Sequence, residues 1–244
     1  MKVYSKSIRI FLGISFEKNN LFTITDKQAH YLINVMRVKI GSEILVFNGF
    51  EGEYRVEIVD KSNNKITCQV LGKERDQEDE PKLNLIFSLV KKDRVFNILE
   101  KCTELGVTCF YPILTERTQN FNYNIQKFES YVIEASEQTR RLSIPKIMPV
   151  QKINSLLNNW NKNEKILLCN ENDGIPLMKI SNNMKKSVSI LIGPEGGFSE
   201  KELKEFTKFD FITSIFLGPR ILRSDTAAIA TIASYQAIFG DWNL

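Results

Sequence analysis

Two glycine-rich loops near the C-terminus constrain the fold more than any other stretch: Gly193-Pro194-Glu195-Gly196-Gly197-Phe198 and Gly218-Pro219-Arg220-Ile221-Leu222-Arg223. Each follows a short apolar run that reads as a buried strand, Val188 to Ile192 and Ile212 to Leu217, and each leads into a helix start. The pattern predicts two loops side by side, on adjacent strands, at the C-terminal edge of one sheet, where open α/β sheets bind ligands. After the first loop, Ser199 and Glu202 form an S-x-x-E capping box, with Phe198 and Leu203 at the staple positions. After the second, Ser224 or Asp225 is placed to cap a helix from Thr226 to Phe239, with Ala227, Ala228, Ala230 and Ala233 as its core and Gly240 as its stop. Glycines in such loops let main-chain N–H and C=O groups touch a ligand directly.

Composition removes several classes of function. The chain has 244 residues, 43% of them hydrophobic and 25% charged, as in an ordinary globular protein. No apolar run reaches the length of a membrane span, and the start MKVYSKSIRI has no signal-peptide core, so a cytoplasmic protein without membrane attachment is expected. Cys68, Cys102, Cys109 and Cys169 are widely spaced and imply neither a zinc site nor a disulfide framework. With His30 the only histidine, a multi-histidine metal site is impossible, and no metal is expected. The net charge of +4 does not by itself identify a nucleic-acid partner.

The acidic, proline-ended stretch Asp76 to Pro81 divides the chain into an N-terminal domain over 1–75, a linker over 76–82 and a C-terminal domain over 83–244. The first contains short β-type runs at Arg9 to Leu12, Glu43 to Phe47, Tyr54 to Val59 and Lys65 to Val70, predicting a small β-barrel or sandwich. One helix interrupts them, from Thr25 to Val38, with Thr25 and Gln28 as a capping box and Ala29, Leu32, Ile33 and Met36 as its buried stripe. At about 100° per residue, His30, Asn34 and Arg37 fall within a sector of about 60° elsewhere on it, a face suited to gripping a phosphate or a base. Beyond the linker, strands and helices alternate. Leu83 to Val90 is a strand, Asp93 caps a helix striped with Val95, Ile98, Leu99, Cys102 and Leu105, and Val107 to Leu114 is the next strand. A helix from Ile125 to Arg140, an extended segment from Ile144 to Val150, a short helix around Ile153 to Trp160 and the strand Lys165 to Cys169 complete a pattern predicting an α/β domain with a mostly parallel sheet.

Neither loop is a triphosphate or dinucleotide motif. Phe198-Ser199 stands where a P-loop needs Lys and Ser/Thr, and no G-x-G-x-x-G follows the first strand. The remaining possibility is a site of backbone atoms with one acidic side chain, Glu195, rimmed by Arg220 and Arg223, suited to an adenosine-like ligand.

LIGPEGGFSEKEL (Leu191 to Leu203) and LGPRILRSDTAAIA (Leu217 to Ala230) resemble the ribosomal RNA uridine-N3 methyltransferases of the RsmE type, in the SPOUT superfamily of trefoil-knotted methyltransferases. HYLINVMRVKIGSEILVFNG (His30 to Gly49) is similar to that family's N-terminal PUA-like segment, and KCTELGV (Lys101 to Val107), TER (Thr115 to Arg117) and EASEQTRRLSIP (Glu134 to Pro145) to its middle. Asp225 stands where the family usually has glutamate, and Arg140 where it usually has glycine.

The resemblance implies a trefoil-knotted SPOUT methyltransferase domain behind a small PUA-like β-barrel, a homodimer, and S-adenosyl-L-methionine held in the knot. By it, Leu191, Ile192, Gly193, Gly197, Leu217, Gly218, Ile221, Leu222, Thr226 and Ala227 hold the cofactor. The acceptor it implies is N3 of a uridine in small-subunit (16S) ribosomal RNA, in the assembled subunit. N3 lies on the Watson–Crick edge, so the uridine must be unpaired or flipped out. Its proton must leave, and Arg117, Arg141 and Arg223 are the candidates to stabilise the uridinate by charge-assisted hydrogen bonds. Arg9, His30, Asn34 and Arg37 are assigned to RNA binding. The alternatives are a SPOUT enzyme acting on another RNA or base atom, and a non-catalytic RNA-binding protein.

Overall fold

The computed structural model describes residues 7–18, 20–119, 123–171, 173–180 and 187–243. Part of the opening segment read for a signal peptide, residues 1–6, lies outside them. The chain forms two compact units, residues 1–79 with 136–144, and residues 80–135 with 145–244. The segment 136–144, which the sequence reading assigned to the C-terminal domain, clusters with the first unit.

The first unit is a five-stranded sheet around its own core. Its elements are β1 (Arg9–Phe11), β2 (Leu21–Thr25), α1 (Asp26–His30), a π turn (Tyr31–Val35), β3 (Glu43–Phe47), β4 (Glu53–Ser62) and β5 (Lys65–Arg75). The sheet order is β1-β3-β4-β5-β2, with β1 and β3 parallel and the other pairs antiparallel. Alternation puts Ile44, Val46, Val56, Ile58, Ile66 and Cys68 on the buried face, and Ala29 and Leu32 cover it. Register shifts at three points of the β4–β5 hairpin bend the sheet.

The helix expected from Thr25 to Val38 is shorter and differently started. Thr25 Oγ1 donates to Asp26 Oδ2 at 2.7 Å and Gln28 Nε2 to Phe11 O at 2.6 Å, so neither side chain makes the predicted capping box. Asp26 has φ +55°, which separates β2 from α1 sharply. Met36 N bonds Tyr31 O, an i→i+5 pairing that widens the turn and moves Met36 off the buried stripe, leaving it 38% exposed. The 60° sector drawn for His30, Asn34 and Arg37 assumed uniform α spacing and does not apply across this turn, although all three are exposed.

The second unit contains β6 (Leu83–Ser88), α2 (Lys92–Glu104), β7 (Cys109–Leu114), α3 (Ile125–Thr139, whose last four residues cluster with the first unit), β8 (Lys146–Ile147), β9 (Gln151–Lys152), α4 (Ile153–Asn158), β10 (Lys165–Cys169), β11 (Ile175–Pro176), β12 (Val188–Ile192), α5 (Glu200–Phe206), β13 (Ile212–Phe216) and α6 (Ser224–Ile238). Its sheet runs β11-β13-β10-β12-β6-β7-β8, with β9 also on β7, and every pairing is parallel. β12 and β13 are therefore not neighbours: β10 lies between them and pairs with both. The six residues of β6 and five of β12 are all buried, as a central parallel strand requires. Two expected caps are absent. Asp93 lies inside the first turn of α2 without a capping bond, where its charge still suits the helix dipole, and Leu105 is only half-buried. α6 begins at Ser224 with no side-chain cap, and its buried positions are Ser224, Ala228, Thr231, Ile232, Tyr235 and Gln236 rather than an alanine core.

Arg140, just past α3, adopts φ +63°, a left-handed conformation that costs an L side chain about 1–2 kcal/mol and glycine little. The glycine usual at this place in the resembled family thus has a backbone reason. Allowing for glycine's greater unfolded-state entropy, Arg140→Gly is expected to raise stability by about 0.5–1 kcal/mol. Urea unfolding checks this, and an unchanged or lower midpoint would contradict it.

Candidate cofactor site

Three strand ends, not two, build one cavity of about 260 Å³ in the second unit. β12 delivers Ile192, Gly193, Pro194, Gly197 and Phe198; β13 delivers Phe216, Leu217, Gly218, Arg220 and Leu222; β10 delivers Cys169, Asn170 and Glu171. Ser224 and Ala227 of α6 and Glu200 and Leu203 of α5 close it, and Arg117 reaches it from the turn after β7.

The first loop is held by side chains from three other elements. Gly193 O accepts from Ser224 Oγ at 2.9 Å, and Gly196 O from Arg117 Nη1 at 2.6 Å. Glu195 pairs with Arg94 of α2. Ser224, expected to cap α6, therefore ties the second loop to the first. Gly197 has φ +68° and closes a turn on Pro194 O at 2.9 Å, and a Cβ at Gly193 would stand 2.9 Å from the Phe198 ring. The predicted capping box is present, with Glu202 N on Ser199 Oγ at 3.1 Å and Ser199 N on Glu202 Oε2 at 2.9 Å. Glu202, only 3% exposed, also accepts Glu116 N at 2.9 Å, so one carboxylate fixes both α5 and the turn that carries Arg117. Phe198 and Leu203, the two staple residues, lie in the same apolar cluster.

In the second loop, Gly218 has φ +109°, and a Cβ placed there would meet nothing within 4 Å. Bare backbone thus faces open space, a cradle that fits a ligand held by main-chain groups. Of the ten residues the resemblance assigned to the cofactor, Ile192, Gly193, Gly197, Leu217, Gly218, Leu222 and Ala227 line the cavity. Leu191 is buried in the core behind it, Thr226 is exposed outside the lining, and Ile221 is 81% exposed.

The three arginines assigned to uridinate stabilisation do not share one environment. Arg117 lines the cavity; Arg223 is exposed at the N-cap position of α6 and outside the lining. Arg141 belongs to the other unit, 9% exposed, with Nη2 on Ser143 Oγ at 3.3 Å and its carbonyl accepting Arg9 Nη2 at 2.5 Å. Among the residues assigned to RNA, His30, Asn34 and Arg37 are exposed, but Arg9 is not a surface residue. Its guanidinium is bound to Glu53 Oε1 at 2.5 Å and to the carbonyls of Ser136 and Arg141, and lies 3.7 Å from the Phe47 ring centroid.

The acidic character of the pocket was assigned to the wrong residue. Glu195 is turned to Arg94 and does not line the cavity, whereas Glu171 and Glu200 do. Glu171 follows β10, which leads into a stretch with the single glycine Gly174 rather than a glycine-rich loop; its place between β12 and β13 brings it to the cavity. Burial pushes the Cys169 thiol up to about 12, and its Sγ lies 3.2 Å from Thr231 Oγ1, so this lining cysteine is a protonated wall residue and not a thiolate nucleophile. Among the described residues there is no group of three or more metal-ligating side chains, and no helix is long and apolar enough to cross a membrane.

Comparison with known proteins places this geometry. Residues 77–236 match the RNA methyltransferase domain family and residues 24–71 the RNA methyltransferase PUA domain. A ribosomal RNA small subunit methyltransferase E of Rickettsia conorii is 30% identical over 235 residues, 94% of this chain and 95% of that protein. The protein of the same name from Bacillus subtilis is 30% identical over 236 residues, 90% of this chain and 92% of its own. The structure of a ribosomal RNA small subunit methyltransferase E from Neisseria gonorrhoeae, bound to S-adenosyl methionine, superposes with a TM-score of 0.89 at 26% identity, covering 97% of this chain and all of that one. With both domain matches in order and relatives similar over nearly their whole length, the chain belongs to the ribosomal RNA small subunit methyltransferase E family.

Proposed function

We propose that this chain binds S-adenosylmethionine in the three-strand cavity and methylates N3 of an unpaired uridine in small-subunit ribosomal RNA, as a cytoplasmic homodimer with a trefoil-knotted C-terminal domain. The observation that carries the reading is the bare-backbone cradle at Gly218, set opposite a first loop already locked by Ser224 and Arg117. Such a site meets a nucleoside with main-chain groups at little cost in reorganisation. The bound cofactor supplies an electrophilic methyl group. The protein supplies position and charge. Arg117, anchored through Nη1 on Gly196 O, keeps its remaining N–H donors for the negative charge that develops when uridine N3 loses its proton. Arg141 and Arg223 are the other two candidates for that charge.

The test is methyl transfer from labelled S-adenosylmethionine to small ribosomal subunits and to free RNA, followed by nucleoside mass spectrometry. Recovery of 3-methyluridine is expected; a different methylated nucleoside, or none, would sink the assignment. His30, Asn34 and Arg37, exposed on the first unit, are the proposed RNA contacts there. Arg37→Ala is expected to weaken RNA binding about tenfold and lower its salt dependence, with cofactor affinity unchanged. Equal loss of both affinities would contradict that division of labour.

A further inference from the structure

Of the two carboxylates lining the cavity, Glu171 is the one set against the first loop: a Cβ built on Gly197 would stand 3.5 Å from Glu171 Oε1. Gly197 therefore does more than permit its left-handed turn, since the absence of a side chain leaves that oxygen uncovered on the cavity side. Glu171 takes no hydrogen bond and no ion pair from the described residues; of the two lining arginines, Arg117 and Arg220, the first has Nη1 on Gly196 O. A carboxylate in this position is tolerable while water reaches it. A ligand filling the cavity strips that water, and an unpaired desolvated carboxylate costs far more than a paired one. The ligand group facing it must then bring its own donor.

We infer that Glu171 is a specificity-determining residue of the cofactor site, accepting a charge-assisted hydrogen bond from a donor on the sugar or amino-acid part of the ligand. The inference rests on the S-adenosylmethionine reading above. Two parts of that molecule carry the required chemistry, the ribose hydroxyls and the methionine ammonium. Among the other lining groups, Ile192, Phe198, Leu203, Leu217 and Leu222 present apolar surface suited to the adenine ring.

Titration calorimetry of the full-length wild type, Glu171→Gln and Glu171→Ala with S-adenosylmethionine, S-adenosylhomocysteine and 5′-methylthioadenosine tests it. The last keeps the ribose diol and lacks the amino acid. Loss of about tenfold or more in both variants for all three ligands supports recognition of the diol. The same loss for the first two alone supports recognition of the ammonium. Affinities within twofold of wild type for every ligand overturn the inference while leaving the cofactor reading intact. So does a loss confined to S-adenosylmethionine, because its demethylated product carries the same donors. Failure of the wild type to bind any of the three instead overturns the cofactor reading itself. Because Glu171 is exposed and makes no hydrogen bond or ion pair with the described residues, unchanged unfolding midpoints are expected in both variants.

Discussion

Glu53→Ala is expected to destabilise the N-terminal unit by about 3–5 kcal/mol, because it leaves the Arg9 guanidinium buried without its anion. Glu53 is 2% exposed and serves two arginines, Arg9 through Oε1 at 2.5 Å and Arg75 through Oε2 at 3.0 Å. Arg9 in turn holds the carbonyls of Ser136 and Arg141, so the cluster fastens the segment 136–144 to the sheet. Removing both charges in Arg9→Met/Glu53→Leu leaves no buried unpaired ion, since Arg75 is exposed, but it takes the Arg9 donors away from those carbonyls, and an intermediate loss is expected. Urea unfolding followed on the N-terminal unit checks both; a cost below about 1 kcal/mol for Glu53→Ala would refute the role.

The same cluster sets an acid limit. Burial pushes the Glu53 carboxyl up, but the hydrogen bonds from Arg75 and Arg9 outweigh it and hold the group below its ordinary 4.5. Burial pulls the Arg9 guanidinium below its ordinary value, against the Glu53 bond, yet a guanidinium stays charged throughout the accessible range. A depressed carboxyl contributes stability above its unfolded pKa and loses it as pH falls through the folded value. The wild type should therefore lose stability below pH 4.5 more steeply than Glu53→Ala.

Ala227→Phe is expected to abolish cofactor binding, with affinity for S-adenosylmethionine falling by more than about 100-fold, or about 2.7 kcal/mol. Ala227 is half-buried in the first turn of α6 and lines the cavity of about 260 Å³, so a phenyl ring there occupies ligand space. Its cost to the helix is only about 0.5 kcal/mol, so the folded state should persist. The Gly218→Val substitution that the sequence invites is a poorer probe. With φ +109° at that residue, valine would strain the backbone as well as enter the pocket, and the two effects would be inseparable. Calorimetric titration beside an unfolding curve decides the matter, and binding within threefold of wild type would show that the ligand lies elsewhere.

What the sequence revealed was set by how local each signal is. β3, β10 and β12 were read to the residue, and the Ser199–Glu202 capping box is present in both halves, because each depends on a few neighbouring side chains. β2 went unread although Leu21–Thr25 alternates cleanly, since Thr25 and Gln28 mimic a capping box and drew the helix start over the end of the strand. The caps assigned to Asp93 and Ser224 failed for a related reason: Ser224 has a stronger use, donating to Gly193 O across 31 positions of the chain. Arg9 was assigned to RNA binding together with His30, Asn34 and Arg37. Only the tertiary positions of Glu53, Ser136 and Arg141 show otherwise. Glu171 was passed over because Asp173-Gly174 marks only an ordinary turn after β10, and the place of β10 between the two glycine-bearing strands is a tertiary fact.

The placement of β12 between β10 and β6 also carries a cost in time. β6 ends at Ser88, and its partner β12 begins only at Val188. At a synthesis rate of roughly 5–20 residues per second, the completed β6 waits about 5–20 s on the ribosome for the strand that covers its other edge. All six of its residues are destined for burial, so during that interval an apolar edge is open to any other nascent chain. β7, produced about 20 residues later, closes the opposite edge first. The cavity itself needs β13, which cannot dock until β10 is already in place. Ligand binding is thus the last property this polypeptide acquires, and truncated products from stalled translation will be sticky long before they are competent.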